Sequence, residues 1–174
     1  MKREDKELLL KDLSARLPYG VRGKVKADTV VPHKYDIDGF PLETTFDVDV
    51  ELQRIDASND ELFVSTFDNN EDLGNYIEEC QIEGTPWTIE EFTPFLRPLS
   101  SMTDEELHEV QEILGKGVEI REGFILSIDS SINSFSYLEL IAVFEWFNAH
   151  HFDYRGLIEK GLAVKVTAEN NPYK

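Results

Sequence analysis

Asp47, Asp49 and Glu51 alternate with apolar residues in the run Phe46-Asp47-Val48-Asp49-Val50-Glu51-Leu52. Successive side chains of a β-strand point to opposite faces, so the three carboxylates share one face while Phe46, Val48, Val50 and Leu52 share the other. Carboxylates two residues apart on a strand stand roughly 6.5–7 Å from one another. Such a row can imitate a nucleic-acid backbone and occupy the basic groove of a DNA-binding protein. It can offer oxygen ligands to Mg²⁺ or Ca²⁺, or it can be a solvated face that keeps the chain soluble. The EF-hand pattern fails, because Val48 and Val50 separate the acids and no Gly follows at the sixth position. A two-metal centre would need a further ligand from the fold, such as His33 or Glu43. With Asp56, Asp60 and Glu61, the row Asp47, Asp49 and Glu51 forms the expected partner-binding surface. No metal, cofactor or catalytic residue is assigned.

Three other groups of residues could do chemistry. His150-His151-Phe152-Asp153-Tyr154-Arg155 brings two histidines beside an Asp, a Tyr and an Arg. Zinc needs three or four ligands, and adjacent helical residues point about 100° apart. The structural reading is therefore preferred: histidines at the negative end of a helix dipole, and Asp153 capping the segment that follows. Cys80 lies among Glu78, Glu79 and Glu83, which raise a thiol's pKa and make it inert. Pro86-Trp87, Phe92, Phe95 and Trp146 could line a ligand pocket, but they suit the core beneath an irregular loop better. The chain has no P-loop, Gly-x-Gly-x-x-Gly, Gly-x-Ser-x-Gly or zinc-ligand spacing.

Acids outnumber bases 35 to 17. Residues 43–83 hold 13 acids and one base, Arg54, and so carry −12 of the net −18. This balance disfavours direct binding to nucleic acid or an anionic membrane, which need clustered Lys and Arg, and favours a basic protein partner. Apolar content of 41% and aromatic content of 11% are too high for a disordered acidic tail. A single cysteine excludes an internal disulfide and a Cys-rich zinc site. No run approaches the roughly 20 apolar residues that span a bilayer. The expected location is cytoplasmic.

The elements that position these residues follow from periodicity. Leu9, Leu13 and Leu17 predict an amphipathic helix over 4–17, stopped by Pro18 and Gly20. Val21, Gly23 and Val25 alternate with Arg22, Lys24 and Lys26, a strand with a basic outer face over 21–27. That strand is expected beside the acidic one, because opposite charges across a strand pair contribute roughly 0.2–1 kcal/mol. Asp38-Gly39 marks a turn, and strands follow at 43–56 and 62–67 around the loop 57–60. A polar loop at 68–72 precedes a segment at 76–82 that reads as strand or helix, with strand preferred. The Pro-rich stretch 84–103 reads as extended loop with a helical turn at 89–92. Thr103-x-x-Glu106 and Ser136-x-x-Glu139 are capping boxes opening helices to about Leu114 and Ala149. The second helix is apolar over more than half its circumference and should be central in the core. A strand at 118–128, a short helix at 155–160 and an edge strand at 162–166 complete the pattern. The prediction is one α+β domain over 1–174: a mostly antiparallel sheet with about three helices packed on one side.

Three stretches also resemble a known group: Leu8 to Gly20 with its Leu-Pro-Tyr-Gly ending, Phe95-Leu96-Arg97-Pro98-Leu99-Ser100-Ser101-Met102-Thr103, and Asn148 to Ala163. Together, over roughly a quarter of the chain, they are similar to uncharacterised proteins carried by phages and prophage-like elements of gut Bacteroidetes. The resemblance implies a setting, the bacterial host cytoplasm, and no activity. It does not extend to residues 43–83. The expected function is a non-enzymatic phage or mobile-element accessory protein that binds a basic protein, as an anti-defence protein or nucleic-acid mimic. The alternatives are a metal-dependent enzyme using the same carboxylates, or a small structural or assembly protein. The first reading requires the acid row to face outward and to escape neutralisation by the chain's own Lys and Arg.

Overall fold

The computed structural model describes residues 1–35, 41–66, 82, 84–114, 118–121, 124–127 and 135–174; residues 28–35, 41–44, 118–121 and 124–127 are described through their backbone. The turn at Asp38-Gly39, the loop 68–72, the strand 76–82 (apart from Ile82) and Cys80 lie outside the described residues, as do the side chains of His33 and Glu43. The chain forms two compact units, Met1–Pro94 with Tyr173, and Phe95–Pro172 with Lys174.

The first unit begins with α1 (Arg3–Arg16), which buries Leu9 and Leu13 from one face. Asp12 and Arg16 share that face and are fully buried as an ion pair, with Arg16 Nε donating to Asp12 Oδ2 at 2.7 Å. The helix gives way to a 3₁₀ turn, Leu17–Tyr19, and the chain reverses at Gly20, whose φ of 68° lies in the left-handed region. The antiparallel strands β1 (Arg22–Tyr35), β2 (Pro41–Asp56), β3 (Glu61–Thr66) and β4 (Trp87–Thr88) follow. β1 runs well past the expected end at residue 27, because the β-branched run Thr29-Val30-Val31 continues the strand. Its Pro32 falls within a register shift between Val30 and Tyr35, where the ladder is interrupted.

Val25, Ala27, Val48, Val50, Leu52, Leu62 and Val64 form the buried face of these strands. Gly23 belongs to that row. A Cβ there would sit 2.5 Å from Phe92 Cζ and 2.6 Å from the Thr93 carbonyl oxygen, so only Gly allows this approach. The stretch 84–103 is more regular than the extended loop expected of it. It contains β4, a 3₁₀ turn at Ile89–Glu91 closed by a Thr88/Glu91 capping box, β5 (Thr93–Leu96) and a second 3₁₀ turn at Leu99–Ser101. Thr93 and Pro94 pair with Lys24 and Gly23 of β1.

The second unit contains α2 (Asp104–Leu114), β6 (Val118–Arg121), β7 (Phe124–Ser127), α3 (Tyr137–Ala149) and β8 (Val164–Lys165). Both capping boxes form. Glu106 N–H donates to Thr103 Oγ1 and Thr103 N–H to Glu106; Ser136 and Glu139 exchange the same bonds. Val110 and Leu114 of α2 pack with Val143 and Phe147 of α3 and with Phe152. The single strand expected at 118–128 is instead an antiparallel hairpin, pairing Arg121 with Phe124. Its sequence mark is Gly123 between the alternating Val118-Glu119-Ile120-Arg121 and the apolar Phe124-Ile125-Leu126, a turn signal that outweighs the continuity of β-formers. The expected helix at 155–160 is a series of turns, since Gly156 and Gly161 both adopt left-handed φ, 71° and 70°. β8 is shorter than the expected 162–166 and pairs in parallel with Phe95 and Leu96 of β5. The strand order is β4-β3-β2-β1-β5-β8, antiparallel except for β5–β8. With three α-helices among the described residues, this is an α+β protein.

Candidate functional site

The alternation in β2 does place Asp47, Asp49 and Glu51 on the outward face, opposite buried Val48, Val50 and Leu52. The β1–β2 register then sets a basic residue against each of them: Lys26 opposite Asp47, Lys24 opposite Asp49, Arg22 opposite Glu51. Lys24 Nζ lies 3.8 Å from Asp47 Oδ2 and 3.7 Å from Asp49 Oδ1, and Arg22 Nε donates to Glu51 Oε2 at 3.1 Å. The row is therefore a mixed ladder of three acids and three bases, and it presents no one-sign surface. Burial pushes the Asp49 carboxyl above its ordinary range; Lys24 pulls it back, and the charge on Asp47 adds to the rise.

The remaining predicted residues are spread around the far end of the β2–β3 hairpin. A register shift between Leu52 and Arg54 leaves Gln53 and Arg54 both exposed, and Arg54 lies 3.8 Å over the Phe63 ring. Beyond it Asp56 pairs across the strands with Glu61. Asp56 is turned into the connection: the Ser58 hydroxyl and N–H and the Asn59 amide donate to it at 2.6, 3.1 and 3.1 Å. Those bonds, the Ser58 hydroxyl foremost, hold its carboxyl below the ordinary range. Asp60, at a left-handed φ of 62°, forms an ion pair with Lys6 of α1. Two of these acids thus serve the turn and the helix contact.

The histidine cluster is a helix terminus. His151 N–H donates to the Asn148 carbonyl at 3.2 Å and Phe152 N–H to the Phe147 carbonyl at 2.9 Å, a Schellman closure with His151 in the left-handed position at φ 57°. His150 stacks on Trp146 at 4.0 Å, and its Nδ1 donates to the Trp146 carbonyl at 2.9 Å, since a carbonyl can only accept. Asp153 accepts the N–H groups of Leu157 and Ile158 at 2.9 and 2.8 Å. It caps a turn, as its spacing predicts. Trp87 and Phe92 lie in the first unit, while Phe95 and Trp146 lie in the second. Among the described residues no group of three or more His, Cys, Asp or Glu is placed to hold a metal ion, and no helix is long and apolar enough to cross a membrane.

One surface escapes the sequence reasoning. α2 and α3 together carry Asp104, Glu105, Glu106, Glu109, Glu112, Glu139 and Glu145 and no Lys or Arg. Glu106 is held by Arg97, whose guanidinium donates at 2.6 and 2.8 Å. Burial raises the Glu106 carboxyl, but the Arg97 hydrogen bonds and charge and the Thr103 N–H outweigh it, and the net direction is down. Glu109 accepts the Trp146 indole N–H at 2.9 Å. Asp104, Glu105 and Glu112 are exposed. On α3, expected at the centre of the core, Tyr137, Leu138, Ile141 and Phe144 are 79%, 76%, 37% and 43% exposed. The signal in the sequence is a helix apolar over most of its circumference next to a helix with five acids, His108 and Gln111 as its polar residues.

No known family model matches this chain, and neither a curated protein nor a solved structure matches it.

Proposed function

We propose that this protein is a non-enzymatic accessory protein that binds a basic protein partner, in the phage or mobile-element setting that the sequence resemblance implies. The observation that supports the reading is where unbalanced charge remains. The outward β1–β2 face balances itself, three bases against three acids. The helix pair α2 and α3 has seven acids and no Lys or Arg. A basic partner is drawn to a surface of one sign, and exposed charges act within about 8 Å at physiological ionic strength. Among the described residues the exposed acids of the helix pair, Asp104, Glu105, Glu112 and Glu145, rather than the row Asp47, Asp49 and Glu51, therefore form the more attractive surface.

Immobilised protein incubated with bacterial extract at low salt tests this. The expected outcome is retention of a basic protein that moderate salt releases. Retention is lost in Asp104→Asn/Glu105→Gln/Glu112→Gln and kept in Asp47→Asn/Asp49→Asn/Glu51→Gln. Absence of any basic protein in the low-salt eluate, or equal retention by both variants, overturns the proposal.

A further inference from the structure

We draw no further inference here: the strongest candidate, the exposed apolar side of α3 that carries Tyr137, Leu138, Ile141 and Phe144, is a surface patch for which nothing in the structure shows what covers it.

Discussion

Lys24 of β1 stands in register opposite Asp49 of β2, its ammonium 3.7 Å from the Asp49 carboxylate and 3.8 Å from that of Asp47. One cation thus lies between two acids that repel each other along the strand. Lys24→Met removes the charge and keeps much of the apolar stem. The Asp49 carboxyl, already raised by burial and by Asp47, should then titrate at still higher pH. A carboxyl raised in the folded state favours folding below its ordinary range, and that contribution is lost as pH rises through the raised value. The variant should therefore lose more stability than the parent over that interval. Carboxyl-carbon NMR titration of Asp49 in both proteins measures the shift; superimposable curves would show that the ammonium does not act on this pair.

Asp12 and Arg16 are fully buried within α1 and bonded at two points, Nε to Oδ2 at 2.7 Å and a terminal guanidinium nitrogen to Oδ1 at 3.1 Å. A buried pair is held by mutual attraction against a large desolvation cost, so removing one partner strands the other charge. Asp12→Leu or Arg16→Met should each destabilise the protein by about 3–5 kcal/mol. Asp12→Leu/Arg16→Met together should recover most of that loss, because no uncompensated charge is left. Urea denaturation of the four proteins tests the cycle, and strictly additive losses would contradict the pairing.

Glu106 joins the Thr103 cap of α2 to the Arg97 guanidinium. Its carboxyl is lowered in the folded state, so it contributes stability above its ordinary range, and this is lost as pH falls through the lowered value. Glu106→Gln should cost about 1–2 kcal/mol at neutral pH, discounted for partial exposure. The cost should shrink toward zero in strong acid, where both proteins are uncharged at this position. Denaturant midpoints at neutral and strongly acidic pH give the comparison. A difference that does not change with pH would assign the loss to shape rather than to charge.

Alternation made the outward sides of β1 and β2 legible, Arg22, Lys24 and Lys26 on the one strand and Asp47, Asp49 and Glu51 on the other, and the expected adjacency of the two strands follows from their opposite charges. The one-to-one opposition was not legible. Register depends on where the chain turns and on irregularities such as the shift between Val30 and Tyr35, which no local pattern marks. Thr103-x-x-Glu106 and Ser136-x-x-Glu139 announced both helix starts, because a capping box is a local set of hydrogen bonds. The course of residues 155–160 was misread where Gly156 and Gly161 take left-handed φ and break the helix their neighbours would favour. α3 enters the core through Val143 and Phe147 but is not covered all round, for a different reason. All-round hydrophobicity names no buried face, so Tyr137 and Val143 look alike in sequence although one is exposed and the other buried.

His151 occupies the left-handed position after α3, at φ 57°, where Gly is the residue of lowest backbone strain. Its ring is nonetheless buried, so substitution has two opposing effects. His151→Ala loses the ring and keeps the Cβ penalty, whereas His151→Gly loses the ring and removes that penalty. The Gly variant should be more stable than the Ala variant by about 1 kcal/mol. The order of either against the parent then measures what the ring contributes. Thermal unfolding of the three proteins by circular dichroism reports the order. An Ala variant at least as stable as the Gly variant would show that this terminus does not hold the left-handed conformation, and with it the Phe152-to-Phe147 closure that directs the chain back toward Arg97.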